Sequence, residues 1–151
     1  MERTLIILKP DAVARGLTGE ILRRFELRGL KIVGMKFMQV SRELAEKHYE
    51  VHKGKGFFEG LVGYITMGPV VVVVLEGPNA VEASRVTIGK TKPNESPAGT
   101  IRADFALDIS RNLIHGSDSV DNAKIEIANF FTDGELVSWT TPTADFVYSP
   151  E

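Results

Sequence analysis

The side chain best placed to do chemistry lies in the segment from Asn112 to Asp121. There, His115 ends a short apolar run and precedes a glycine and two serines. An imidazole titrates near neutral pH, so one ring nitrogen often keeps a lone pair that can attack phosphorus or bind a metal. On these residues alone, a hydrogen-bonded structural histidine is the commoner case.

Cationic and hydroxyl side chains elsewhere favour phosphate as the target. An arginine grips phosphate oxygens through a planar fork, whereas a lysine offers a point charge and a threonine a neutral donor. The candidates are Lys9, Arg85, Thr91 and Arg102. Each alone is typical of a protein surface, but together they predict one phosphate site.

Glu126 lies on the second turn of the helix predicted beyond His115. From there its carboxylate could fold back to the imidazole, orient it and favour its protonated form. A solvated surface glutamate fits the spacing equally well. Ser117 and Ser119 are interpreted as hydrogen-bonding residues at the start of that helix, because no Gly-x-Ser-x-Gly motif supports an esterase.

The pair Phe57 and Phe58 follows the glycine- and lysine-rich segment 53–56. An exposed aromatic ring beside a flexible segment can stack on any base, because every base has a π-face. Core packing is the usual alternative, and one of the two rings is expected to take it.

Two other patterns fail as functional motifs. Gly89-Lys-Thr91 imitates the end of a phosphate-binding P-loop, but position 84 holds serine where that motif needs glycine. His48 and His52 lie one helical turn apart, yet the glutamate between them is misplaced for a zinc protease and no third ligand is evident. A metal site there is not expected.

The composition is that of an ordinary globular protein. With 151 residues and 43% hydrophobic residues, it suits a single domain over residues 1–151. A net charge of −2 gives no basic field for nucleic acid, and the absence of cysteine excludes disulfides and thiolate chemistry. The apolar run Leu5–Leu8 is too short for a signal peptide, and no segment approaches the roughly 20 apolar residues of a membrane span. We therefore expect a cytoplasmic protein.

Periodicity and breaker residues predict strands and helices in alternation. The predicted strands are Leu5–Leu8, Leu30–Val40, Val70–Leu75 and Asn112–His115. The predicted helices run from Thr18 as N-cap to Gly29, from Ser41 to about His52, from Phe57 to Met67, from Asn79 to Ile88 and from Ser119 to Phe131. Residues 90–99 form a loop, and residues 139–151 form a tail that must pack or fray.

This order predicts an α/β (α+β) domain of the ferredoxin-like, split βαβ type. Four antiparallel strands form one sheet, with the helices on one face and the added loop and tail outside it. A doubly wound parallel sheet is the competing topology.

Four segments of the chain are Lys9-Pro-Asp11, Phe57-Phe58, Gly99-Thr-Ile-Arg102 and the Asn-x-x-His-Gly-Ser-Asp block at 112–118. With these segments, the chain resembles the nucleoside diphosphate kinases over essentially its whole length. The last block is highly specific to that family. The resemblance implies reversible transfer of the γ-phosphate of a nucleoside triphosphate, usually ATP, to a nucleoside diphosphate. It implies a ping-pong reaction through a phosphohistidine at His115, with Mg²⁺ arriving on the nucleotide.

The resemblance also implies roles for individual residues. It makes Phe57 the base-stacking residue with Leu61 beside it, while Lys9 and Asn112 address the sugar hydroxyls. It assigns phosphate contacts to Arg85, Thr91 and Arg102, help at the transferred phosphoryl group to Lys9 and Tyr49, and a place near the terminal diphosphate to His52. It pairs Ser117 with Glu126 to hold the ring of His115, and lets Asp118 touch magnesium only through water. Because these contacts use features that all nucleotides share, broad base tolerance is expected.

The chain departs from the common family pattern at four positions. Ala12 and Ala103 replace glycine, Gly56 replaces a frequent proline, and Lys90 replaces a common acid. None is a matched catalytic position. Gly56 is expected to loosen the entry to the base site, and Lys90 to add positive charge near Thr91.

The family forms hexamers or, in some bacteria, tetramers, and a hexamer is favoured here. The partners expected are nucleoside di- and triphosphates and other copies of the chain, with no membrane and no specific nucleic acid. Phe146 and Tyr148 in the tail could dock on a neighbouring subunit or pack within their own. The rival hypothesis is a scaffold that kept the fold and lost the activity.

Overall fold

The computed structural model describes residues 1–150 and contains one four-stranded sheet. Its strands are β1 (Glu2–Leu8), β2 (Lys31–Met38), β3 (Val70–Gly77) and β4 (Ile114–Gly116). They lie in the order β2-β3-β1-β4, and each neighbouring pair is antiparallel. This arrangement confirms the ferredoxin-like α+β fold and excludes the doubly wound parallel sheet.

Seven α-helices and four short 3₁₀ turns connect and cover the strands of the described part of the chain. The helices are α1 (Pro10–Ala14), α2 (Thr18–Arg28), α3 (Arg42–His48), α4 (Phe58–Thr66), α5 (Ala80–Ile88), α6 (Ile101–Phe105) and α7 (Val120–Phe130). The 3₁₀ turns are Glu50–His52, Pro93–Glu95, Asp133–Glu135 and Ala144–Phe146. Within residues 1–150, no helix has the length and apolar character needed to cross a membrane.

Helices cover both faces of the sheet, so the prediction that they cover one face was wrong. Ile6 and Leu8 pack with α2, α5 and α6, while Leu5 and Ile7 pack on the opposite side with α3, α4 and α7. The physical reason lies in β1 and β3, which are apolar at consecutive positions. A strand of this kind buries both of its faces.

The helix ends follow their predicted caps with two exceptions. Ser41 and Ser119 cap α3 and α7 as predicted, and Gly29 ends α2 with a φ of 101°. Thr18 is the first residue of α2 rather than its cap, because Leu17 occupies the cap position. Asn79 precedes α5 but makes no side-chain cap bond.

Helix α3 ends at His48, earlier than predicted, and the chain continues as the 3₁₀ turn Glu50–His52. Two helices were not predicted at all. Both α1 and α6 have five residues, too few for a visible apolar period.

The tail packs on its own subunit near β2. The indole N–H of Trp139 donates to the carbonyl of Ile32 at 2.9 Å, and the N–H of Val137 donates to the carbonyl of Val33 at 2.7 Å. Phe146, in contrast, remains exposed. These bonds explain why the segment before the last turn stays on the sheet.

Replacing Phe25 with alanine should lower the free energy of unfolding by about 3–5 kcal/mol. Its ring is fully buried between α2 and the sheet, so truncation leaves a cavity. Leu27→Ala on the same helix is the control, because Leu27 is exposed and its loss should cost about 0.5 kcal/mol or less. Denaturant unfolding at one protein concentration measures both values, and equal losses would contradict the assignment of the core.

Candidate active site

Strand β4 carries His115 to the edge of the sheet, beside a cavity of about 530 Å³. His115 stands opposite Ile7 of β1, so its backbone is held by strand pairing. The cavity wall gathers most of the predicted site residues from seven separate segments. They are Lys9, Tyr49, Leu61, Arg85, Thr91, Arg102, Asn112, Asp118 and Glu126.

The carboxylate of Glu126 reaches the imidazole from α7. Its Oε1 atom lies 2.9 Å from His115 Nε2 and accepts a 2.6 Å hydrogen bond from the Ser117 hydroxyl. The Ser117 oxygen in turn accepts from the backbone N–H of Leu5 at 3.2 Å. This chain of contacts ties the ring of His115 to the centre of the sheet.

The contacts around Glu126 favour its ionised form. Burial alone would raise the pKa of the carboxyl, but hydrogen bonds and charge from His115 and the hydroxyl of Ser117 lower it below its usual range. A carboxylate oxygen only accepts, so the proton on His115 belongs on Nε2. The lone pair is then on Nδ1.

His48 packs against His115, a contact that the sequence did not predict. Its ring meets that of His115 edge to face, with centroids 4.7 Å apart. Burial, and then the charge of His115, lower the pKa of His48 to about 3, so it is neutral. The available signal was helical spacing, since His48 follows the buried Ala45 by three residues on α3.

His48, His115 and Glu126 place ligand-type atoms within 4.8 Å of one another. However, the Glu126 carboxylate is already bonded to both His115 and Ser117. The cluster therefore suits orientation of His115 better than metal binding.

Lys9 follows β1 directly, and its ammonium is buried. Nζ donates to Asn112 Oδ1 at 3.1 Å and lies 4.9 Å from the ring centroid of Tyr64. Burial, and then repulsion from Arg102, lower the pKa of Lys9 to about 8. A buried, incompletely neutralised cation is a suitable partner for an anionic ligand.

Arg102, on α6, is also buried and holds the backbone before β4. Its Nη2 donates to the carbonyl of Ile114 at 2.6 Å, its Nε to that of Asn112 at 3.2 Å and its Nη1 to that of Gly89 at 3.4 Å. Burial, and then repulsion from Arg85, lower its pKa to about 10. Arg102 thus brings positive charge to the cavity and fixes its floor.

Arg85 and Thr91 stand at the exposed side of the cavity. Arg85 donates to the carbonyl of Gly116 at 3.2 Å and keeps other donors for a ligand. Asp118 is exposed nearby and accepts from the side-chain amide of Asn122 at 2.6 Å. Arg85 therefore brings positive charge to this side of the cavity, beside the exposed carboxylate of Asp118.

As predicted, one of the two phenylalanines at 57 and 58 is buried and the other is exposed. Phe58 packs in the core, whereas Phe57 is 53% exposed and its ring lies 5.1 Å from that of His52. Phe57 does not line the cavity itself but stands before α4, which contributes Leu61 to the wall. Tyr49 lines the cavity with a buried hydroxyl that has no partner among the described residues.

Replacing Lys9 with methionine should remove a pH dependence of stability. The pKa of Lys9 is about 8 in the folded chain and has its ordinary value of 10.5 in the unfolded chain. Between these values the unfolded chain binds more protons, so the stability of the wild type relative to Lys9→Met should rise from about pH 8 to 10.5. Below pH 8 the difference should be constant. Urea unfolding across this range measures it, and an unchanging difference throughout would contradict the burial of this charge.

Comparison with known proteins agrees with this geometry. The sequence model of the family described as "Nucleoside diphosphate kinase" matches residues 2–136. A nucleoside diphosphate kinase from Thermomicrobium roseum is 60% identical over 139 residues, covering 92% of this chain and 93% of that relative. One from Gloeobacter violaceus is 56% identical over 148 residues, covering 98% and 99%.

Two solved structures share the fold. A halophilic nucleoside diphosphate kinase from Halobacterium salinarum in complex with CDP has a TM-score of 0.95 and 48% identity, covering 98% of this chain and 99% of that one. A nucleoside diphosphate kinase family protein from Babesia bovis has a TM-score of 0.95 and 44% identity, covering 98% and 100%. The chain therefore belongs to the nucleoside diphosphate kinase family of phosphotransferases.

Proposed function

We propose that the chain moves the γ-phosphate of a nucleoside triphosphate, usually ATP, to a nucleoside diphosphate through a phosphohistidine at His115. The observation that carries this proposal is the contact between His115 Nε2 and the carboxylate of Glu126. It leaves the lone pair of Nδ1 for attack on phosphorus and stabilises the positive ring that forms as the new bond develops.

The reaction has two matched halves. Nδ1 of His115 bonds to the γ-phosphorus while the bond to the bridging oxygen breaks, and the nucleoside diphosphate leaves with that electron pair. A second diphosphate then enters the same cavity, and its terminal oxygen takes the phosphoryl group from Nδ1. One nucleotide site is therefore enough for donor and acceptor.

The charges of the site suit phosphoryl transfer. A loose transition state spreads negative charge over the transferred oxygens, and fixed donors lower its energy because they need no reorganisation. Lys9 and Arg102 are buried beside the cavity, and Arg85 and Thr91 extend the row of donors. The unpartnered hydroxyl of Tyr49 supplies one more donor for the transferred group.

Nucleotide binding uses groups of the cavity wall together with the neighbouring ring of Phe57. Phe57 offers an exposed ring for the base, with Leu61 beside it, and the pair Lys9–Asn112 offers polar atoms for the sugar hydroxyls. The relative from Halobacterium salinarum was solved in complex with CDP, which supports a nucleotide in this cavity. None of these groups distinguishes one base from another.

Mg²⁺ is proposed to enter with the nucleotide. Magnesium prefers oxygen ligands, and the cavity wall offers mainly cations and imidazoles, with Glu126 already bonded. The exposed carboxylate of Asp118 can contact a hydrated ion. When bound, the ion neutralises charge on the β- and γ-phosphate oxygens.

A hexamer is proposed as the assembly. Strand β2 lies at the edge of the sheet and exposes Met35 and Phe37, which supports self-association in general. The choice of hexamer over tetramer depends on the family resemblance, and sedimentation equilibrium would separate the two masses. The cytoplasmic location and the absence of a specific nucleic-acid partner stay predictions from the sequence.

Replacing His115 with glutamine should abolish label transfer. With Mg²⁺ and γ-labelled ATP, we expect acid-labile, alkali-stable label on the wild type, which moves to added GDP or UDP. His52→Gln is the control for loss of an imidazole from the same cavity, and it should still take up label because the His52 ring lies beside Phe57 and is not the attacking group. Continued turnover in His115→Gln would contradict the mechanism. An unlabelled, nucleotide-binding wild type would favour the scaffold hypothesis.

Replacing Phe57 with alanine should weaken the binding of all nucleotides to the same extent. Loss of a base–aromatic stack costs roughly 1–3 kcal/mol, or about fivefold to 160-fold in affinity. Titration with ADP, GDP, CDP and UDP measures the four losses. A loss confined to one base would show that Phe57 takes part in base selection instead.

A further inference from the structure

Leu113, between Asn112 and Ile114, has an unusual backbone conformation for a large apolar residue. Its φ is 73° and its side chain is fully buried. The N–H of Ile114 donates to the carbonyl of Asn112 at 2.9 Å, which closes a three-residue γ-turn. A γ-turn with positive φ is rare and strained, so neighbouring groups must hold it.

Two side chains from outside the turn hold the amide of Leu113. Its N–H lies 3.1 Å from Asp11 Oδ2 and 3.2 Å from the Tyr64 hydroxyl oxygen, both of which accept from it. The Tyr64 hydroxyl donates to Asp11 Oδ1 at 2.6 Å, so the three groups form a closed triangle. The carbonyl of Leu113 accepts from the backbone N–H of Lys9 at 2.8 Å.

Tyr64 is kept as a neutral donor at this point. Burial, and then its hydrogen bond to Asp11, raise the pKa of its hydroxyl above the ordinary value. Lys9 Nζ and Arg111 Cζ lie 4.9 Å and 5.1 Å from the centroid of its ring. Two cations therefore lie close to the Tyr64 ring beside the turn.

The strained turn lies between two side chains of the site. Asn112 immediately before it accepts from the ammonium of Lys9, and His115 follows two residues later on β4. A relaxed φ at Leu113 would redirect the chain and shift both. Neither Asp11 nor Tyr64 lines the cavity, so any influence on the reaction passes through this backbone.

We propose that Asp11 and Tyr64 are positioning residues for phosphoryl transfer, which hold the strained turn at Leu113 and thereby place Asn112 and His115. The proposal depends on the reaction proposed above, in which His115 is the nucleophile. Asp11 acts as the shared acceptor of the triangle, and Tyr64 closes it.

The test measures the rate at which His115 takes label from saturating γ-labelled ATP in a single turnover. Asp11→Asn replaces one of the two acceptor oxygens with an N–H donor at nearly constant shape, and Tyr64→Phe removes only the hydroxyl. We expect the rate to fall roughly tenfold or more in Asp11→Asn, since small misplacements of reacting groups have large kinetic effects. A smaller fall is expected in Tyr64→Phe, because Asp11 still accepts from Leu113.

Glycine at position 113 distinguishes positioning from general stabilisation. Glycine adopts positive φ without strain, so it does not need the hydrogen bonds from Asp11 and Tyr64 to hold the turn. Adding Leu113→Gly to Asp11→Asn should recover at least part of the lost rate, even though it removes a buried side chain and lowers the melting temperature. Leu113→Gly alone is the control for that loss of packing.

Two results would overturn the proposal: unchanged labelling rates in both single variants, or a loss in Asp11→Asn that glycine at 113 does not recover. Hydrogen exchange of the Leu113 amide gives a second readout that needs no activity. It should speed up in Asp11→Asn. A wild type that takes no label would refute the proposed function. Slow exchange of the Leu113 amide in the wild type and fast exchange in Asp11→Asn would still show that Asp11 holds the turn.

Discussion

The backbone from Asn112 to Ser117 is the constraint on which the site depends. This segment contains the shortest strand of the sheet, and three residues of pairing with β1 cannot hold it alone. Side chains from outside therefore bind its peptide groups. Arg102 donates to two of its carbonyls, and Arg85 donates to a third. Asp11 and Tyr64 accept from the N–H of Leu113. The groups that bear positive charge toward the cavity thus also build its floor.

Because Arg102 both bonds to backbone carbonyls and carries charge, it can be buried beside Lys9. Removing Lys9 and Arg102 from water is costly, and repulsion adds to that cost, because Arg102 lowers the pKa of Lys9 and Arg85 lowers the pKa of Arg102. Bonds from Arg102 to carbonyl oxygens and from Lys9 to Asn112 compensate part of that cost. The remaining positive potential is available to an anion. A polyphosphate is the natural ligand of such a cavity because it brings several negative charges at once.

The two-sided sheet supplies the rigidity that this arrangement needs. Strands β1 and β3 are apolar on both faces, so helices pack above and below them. Helix α7 on one side brings Glu126, and helices α5 and α6 on the other bring the two arginines. His115 therefore receives its carboxylate from one layer and two neighbouring positive charges from the other. A helix layer on one face could not supply both.

The sequence by itself determined the elements whose signals are local. The β-branched run of β3, the serine caps of α3 and α7 and the glycine that ends α2 act within a few residues, so their positions follow from propensity and capping. His115, together with the cations and hydroxyls in other segments of the chain, also indicated phosphate chemistry, because these side chains suit a phosphate ligand.

Only the tertiary structure decided which distant groups meet. It placed His48 edge to face against His115 and brought Asp11 and Tyr64 to the amide of Leu113. The short helices α1 and α6 likewise depend on packing, since five residues are too few to be stable by propensity. Such contacts join residues far apart in the chain, and spacing alone carries no information about them. The strain at Leu113 has the same origin, because nothing about an isolated leucine favours positive φ.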